Sequence, residues 1–185
     1  MAESSKRLYF TMVFALVCYV IGSGFVQSFV NYPTWKLVGA DEFKTYHNGM
    51  SPLIIKFMVL PWLVEIALTI SLLWLRPQAI PRRAVAAALM LNAVSAISAV
   101  TVQIPIQIQL GDSGLSVELL DKLLETDSIR ATASILKAFL YLWMMSLIVR
   151  NSVSTIEGGA HNFQTRRRNL RCIHRVKGGG SPLGF

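Results

Sequence analysis

Histidine is scarce in this chain: there are three, and only His47 lies outside the C-terminal tail. A bis-histidine haem or a histidine-rich metal centre needs more imidazoles than that, so the sequence assigns no metal ligands and identifies no cofactor. Cysteine is equally sparse. Cys18 sits inside a long apolar run and Cys172 in a basic terminal segment, so a disulfide would have to join the interior of one to the other. Both read as free thiols, and no CxxC occurs. Also missing are a Ser/His/Asp order, a phosphate-binding glycine loop and a GxGxxG fingerprint, which removes support for hydrolase, nucleotide and dinucleotide chemistry. Charge is the last shortage, at 15% against 53% hydrophobic residues, with a mean hydropathy of +0.48. That balance excludes an ordinary soluble domain and points to a polytopic membrane protein.

What the chain does have is room for four spans of ~20 residues. They fall at about 8–29, 52–75, 84–109 and 130–149, giving a four-helix transmembrane domain over 1–150 and a polar basic tail over 151–185. The fold class that follows is all-α: an integral membrane four-helix bundle with a short amphipathic outer loop and a disordered C-terminal tail. The net charge of +8 is first a topology signal. Lys6 and Arg7 precede the first span, Arg76, Arg82 and Arg83 lie between the second and third, and Arg150 follows the fourth. The intervening loops are neutral or acidic, so both termini are expected in the cytoplasm. A cleaved signal peptide is the rival for the first span, with Lys6-Arg7 as n-region and Gly22-Ser23-Gly24 as cleavage site, but the apolar run continues past that site to Val30.

The second span carries Glu65 near its middle, among almost entirely apolar neighbours. A carboxylate at that depth costs ~2.5 to 3.5 kcal/mol and normally faces a partner or a wet cavity. Lys137 and Lys56 are the candidate partners. Pro61, one turn before the acid, is expected to kink the helix and free a carbonyl. In the first span, Gly22, Ser23 and Gly24 are expected to let a neighbouring helix approach closely. The loop from Asn31 to His47 is aromatic enough to lie as a lid on the outer face, with Pro33 opening a short helix, Asp41 capping a second, and Trp35, Phe43 and Tyr46 in the interfacial belt.

Gln103 and Gln107 lie four apart at the outer end of the third span. The alternation of Gln and Ile around Pro105 also fits a strand. A lone strand in lipid leaves its backbone unpaired, so a kinked helix end is preferred. Ser116 is a plausible N-cap for an amphipathic helix leading into the fourth span. The tail beyond about 151, with Arg166-Arg167-Arg168, is expected to be disordered and drawn to anionic membrane lipids. No fold signature supports nucleic acid as a partner.

The order Val26-Gln27, Tyr32-Pro33, Val38-Gly39, Phe43, Tyr46-His47, Pro61 with Glu65, Gln103-x-Pro105 and Thr126-x-x-x-Arg130 resembles a family of small four-helix bacterial membrane proteins. That family is distantly similar in size and architecture to the anthrone-oxygenase-like membrane proteins. The resemblance covers about 8–149 and implies a bacterial inner-membrane setting and an oxygenase-like activity by architectural analogy alone. The chain departs from the family's pattern where a His is usual and Gln107 stands, and where an Asn is usual and Asp127 stands.

The polar residues Gln27, His47, Lys56, Gln103, Gln107, Asp127, Arg130 and Lys137 all fall towards the outer side of the bundle, with Glu65 below them. Two readings are open. In one, these groups satisfy one another as interhelical struts. In the other, they line an outward-opening pocket for a small lipophilic molecule, with Gln27, Tyr32, Tyr46, Gln103, Gln107 and Arg130 contacting it. His47 and Glu65 would then be the catalytic acid and base of an oxygenase-like or isomerase-like reaction. The alternative is a non-catalytic subunit or ligand-binding module, as a homo-oligomer or within a larger membrane complex.

Overall fold

The computed structural model describes the backbone from Ala2 to Lys177 and side chains from Ala2 to Ser152. Seven α-helices, α1 (Glu3–Val26), α2 (Tyr32–Trp35), α3 (Ala40–Ile54), α4 (Leu60–Leu75), α5 (Arg82–Ser98), α6 (Ile104–Ser113) and α7 (Val117–Lys177), combine into four spans. The spans are Glu3–Trp35, Ala40–Leu75, Arg82–Ser113 and Val117–Ser152, each long and apolar enough to cross a membrane. The protein is thus a multi-pass membrane protein built as a four-helix bundle, with first beside second and fourth, and third beside second and fourth. One end of the bundle, here the near end, gathers the N-terminal turn, the 76–81 turn and Ser152. There the Gln78 amide donates to Glu3 Oε1 at 2.9 Å and Arg7 donates to Ser152 Oγ at 2.7 Å. The far end carries the short links 36–39 and 114–116.

Three of the four spans are built from two α-helices joined through a five-residue π-helical turn: Gln27–Asn31, Ile55–Val59 and Ala99–Gln103. Each turn is followed by one residue and then a proline, Pro33, Pro61 or Pro105. The residue before the proline donates its backbone N–H five residues back, Tyr32 to Gln27, Leu60 to Ile55 and Ile104 to Ala99. A proline lacks an N–H, and its ring collides with the carbonyl four residues earlier. Widening the turn by one residue takes up that collision without ending the helix. The carbonyl of Phe57, four before Pro61, finds a donor in another span: the Tyr19 hydroxyl, at 2.8 Å. The expected kink at Pro61 is therefore a π turn, and the expected kinked end of the third span is a second one. No strand occurs among the described residues.

Two apolar cores are stacked along the bundle. The near one packs Phe10, Val13, Val17, Leu72, Ala88, Tyr141 and Met144. The far one packs Tyr32, Trp35, Phe43, Ile106, Leu110, Leu120 and Leu123. The spans of 32 to 36 residues extend about 50 Å at ~1.5 Å per residue, well beyond a ~30 Å hydrocarbon layer. The far core is the centre of a cap that continues the bundle past the apolar band.

The cap corrects several sequence expectations. Residues 31–47 form no loose lid: the first span continues through α2, and α3 begins the second span. Trp35 and Phe43 are fully buried in the cap, with ring centroids 6.3 Å apart, instead of facing the membrane interface. Asp41 is not a cap; Gly39 holds that position, and Asp41 and Glu42 lie in the first turn of α3, where acids favour the helix dipole. Ser116 does cap α7, its hydroxyl accepting the Leu119 amide at 3.4 Å. Gly22 and Gly24 do not mediate close packing, because a Cβ at either would meet no atom within 4 Å. Helix α7 runs on to Lys177; the side chains past Ser152 and all of 178–185, on which the expectation of a disordered basic tail falls, lie outside the described residues.

Candidate functional site

Between the two cores lies a polar layer and, within it, a cavity of about 690 Å³ bounded by all four spans. The three π turns ring it. Gln27 and Ser28 come from the first, Ile55, Met58 and Val59 from the second, and Ala99 and Gln103 from the third. The unbroken α7 supplies the fourth wall through Arg130, Ser134 and Lys137. An α-helix packs its neighbours at close range, whereas a π turn locally widens the helix and re-aims the residues on either side of it. Residues of all three turns border the space left unfilled.

Below the cavity the charges are closed into a network. Lys137 Nζ donates to Glu65 Oε2 at 3.0 Å and to Asn92 Oδ1 at 2.8 Å. Asn92 Nδ2 donates to Glu65 Oε1 at 3.2 Å, and the Thr69 hydroxyl does so at 3.1 Å, in turn sharing a 2.8 Å hydrogen bond with the Tyr141 hydroxyl. Glu65 is 0% exposed and does not reach the cavity wall; Lys137 stands between the two. Lys56, the other candidate partner, is exposed and lies over the Phe57 ring at 5.3 Å.

Above, Asp127 is buried and binds Arg130 Nη2 at 2.6 Å and accepts from Gln103 Nε2 at 3.0 Å. Arg130 also reaches Ser28 Oγ at 3.4 Å. His47, 2% exposed, is sandwiched between rings, stacked on Phe43 and edge-on to Trp35 at 5.2 Å. Its Nε2 lies 2.8 Å from Gln107 Oε1, and Gln107 Nε2 reaches the Tyr32 hydroxyl at 3.4 Å. With an amide oxygen facing it, Nε2 is the donor in this contact. The ring's Nδ1 is buried without a hydrogen-bond partner among the described residues. Gln27 Oε1 accepts from Asn31 at 2.7 Å, and the Gln27 amide faces the Tyr32 hydroxyl.

Of the sequence-derived site residues, Gln27, Tyr32, His47, Gln103, Gln107 and Arg130 line this cavity together. Tyr46 does not: it is 39% exposed, on the other side of α3 from His47. Glu65 lies a layer beneath. Sequence reasoning missed Ser28, Asn48 and Ser134 in the wall, and Asn92, Thr69 and Tyr141 in the network. Asn92 had a signal, since Ala88, Asn92 and Ser95 share one helical face and all three are buried. Gly111 lies where α6 meets α3: a Cβ there would stand 2.9 Å from Asn48 Oδ1, whose side chain would have to shift, and 3.5 Å from His47 Nδ1. Neither a family model, nor a curated protein, nor a solved structure matches the chain.

Proposed function

We propose that the cavity binds a small lipophilic molecule, with the far end of the bundle outside the cell and the near end in the cytoplasm. The observation that carries this reading is a buried polar atom of a cavity-wall residue, His47 Nδ1, that has no hydrogen-bond partner among the described residues. A buried donor or acceptor left unmade costs ~1 to 3 kcal/mol, and a guest with a polar end relieves that cost. The apolar remainder of the wall, Ile54, Ile55, Met58 and Trp62 among it, suits a hydrocarbon body. The sidedness rests on charge: Lys6, Arg7, Arg76, Arg82, Arg83 and Arg150 lie at the near end, and most of the acidic residues lie at the far end.

His47 is the wall residue suited to exchange a proton with a guest, through Nδ1, while Gln107 and Tyr32 hold the ring from its other side. Glu65 is held by three donors beneath the floor and acts by fixing Lys137. Any conversion therefore runs through His47, as a proton transfer of the isomerase type.

The test is untargeted mass spectrometry of small molecules retained after mild purification, on the parent and on Gln27→Met and His47→Gln. A lipophile enriched over bulk lipid in the parent and lost from both variants, with melting temperatures unchanged, is the expected result. No enrichment in the parent, together with stable co-purification with other membrane proteins, would instead favour a non-catalytic subunit.

A further inference from the structure

We infer that the guest is uncharged and enters sideways, from the far leaflet of the bilayer, through a window between the first and second spans; this rests on the binding reading just given.

The charge argument comes first. Each cation in the cavity wall already has its own carboxylate, Lys137 with Glu65 at 3.0 Å and Arg130 with Asp127 at 2.6 Å. What remains unmatched is the imidazole Nδ1 of His47, and the Gln27 amide in the same wall is uncharged. An anionic head would arrive with no free cation to meet it. A buried charge without a partner is expensive, whereas a hydroxyl or carbonyl needs only the hydrogen bonds that Gln27 and His47 offer. A long-chain alcohol, a phenol or a quinone has the right chemistry; a phospholipid or a fatty acid does not.

The route follows from how the spans meet. In the far half, α3 packs on α6, the third π turn and α6 pack on α7, and α2 and the first π turn pack on α7. The first span approaches the backbone of the second lower down, where α1 meets Ile55–Val59 and α4. The seam above has definite edges. Its lower edge is the hydrogen bond from Tyr19 to the Phe57 carbonyl, and its upper edge is the Trp35 ring against Phe43 and His47. Between these edges the first span presents Gly24, which lines the cavity and has nothing within 4 Å of the place a Cβ would take. Ile55 of the second span lines the same cavity, and Val26 and Phe29 of the first span are exposed. Glycine at 24 is thus not a packing requirement.

The probe is a long-chain primary alcohol carrying a mid-chain diazirine, compared with the fatty acid of the same chain. The full-length protein is held in nanodiscs of zwitterionic lipid, and crosslinks are mapped by peptide mass spectrometry. The alcohol is expected to label cavity-lining residues of the first and second spans, and the carboxylate about tenfold less, a difference of ~1.4 kcal/mol. Gly24→Leu, which fills the window from open space, is expected to cut alcohol labelling several-fold with an unchanged melting temperature. Equal labelling by the carboxylate overturns the uncharged head. Undiminished labelling of Gly24→Leu, alongside loss in His47→Gln, overturns the lateral route and leaves the binding site standing. If neither probe labels the cavity of the parent protein, the binding reading falls and this inference with it.

Discussion

Replacing Glu65 by Gln tests the polar layer most sharply. The carboxylate accepts from Lys137 at 3.0 Å, Thr69 at 3.1 Å and Asn92 at 3.2 Å, and all four side chains are buried. Glutamine keeps the shape but turns one acceptor oxygen into a donor, which must then point at one of those three donors. It also leaves the Lys137 ammonium without its counter-charge. Removing one member of a buried pair costs ~3 to 5 kcal/mol, and at ~2 to 4 °C per kcal/mol for a chain of this size the melting temperature should fall by roughly 6 to 20 °C. The assay is thermal unfolding of the detergent-solubilised protein followed by circular dichroism. A second change, Lys137→Met, should restore much of the loss, because replacing both members of a buried pair with apolar or neutral groups is often close to neutral. Lys56→Met should restore none, since Lys56 is exposed over Phe57. A Glu65→Gln protein as stable as the parent, or one rescued by Lys56→Met, would refute the pairing described here.

Three further outcomes are expected. Gly111→Ala brings a Cβ to 2.9 Å from Asn48 Oδ1, so it should lower stability by about 1 kcal/mol and shift the His47 ring resonances in NMR; an unchanged spectrum would show that α3 and α6 have slack. Tyr19→Phe removes the donor to the Phe57 carbonyl and should cost about 1 kcal/mol, read as faster amide exchange over Ile55–Val59. In a background lacking Cys18 and Cys172, cysteines introduced at Leu37 and Ser113 should react with an impermeant thiol reagent added outside cells and one at Gln78 should not; the opposite pattern would reverse the assignment of sides.

The spans were legible because hydropathy and loop charge depend on composition averaged over many residues, which a single chain supplies. Partner choice was not. Lys56 and Lys137 are equally plausible neighbours for Glu65 in sequence, and they separate only because the π turn at Ile55–Val59 turns Lys56 outward. The cap was misread for a different reason. Residues 31–47 are rich in aromatic and polar side chains, which suits an interfacial loop, yet Trp35, Phe43 and His47 find one another only because the first span carries on through Pro33. Proline signalled kinks at Pro61 and Pro105 correctly as to place. That residues of all three π turns would line one cavity depends on how the spans align, a property of the packed bundle and of no single motif.

The unlike construction of the four walls has a mechanical consequence. From Val117 to Ser152, α7 contains neither proline nor glycine and is a stiff post; the other three walls each contain a π turn that lines the cavity. A stiff helix meets a change in bilayer thickness by tilting as a whole, at a modest cost per ångström of mismatch. A wall with a compliant joint halfway up yields at the joint instead. Thinning or thickening the membrane would then be taken up as a change in the width of the cavity, with α7 as the fixed member against which the others move. On the binding reading proposed above, the volume open to a guest depends on lipid chain length, and retention measured in nanodiscs of short-chain and long-chain lipid should differ even though no lining residue has changed.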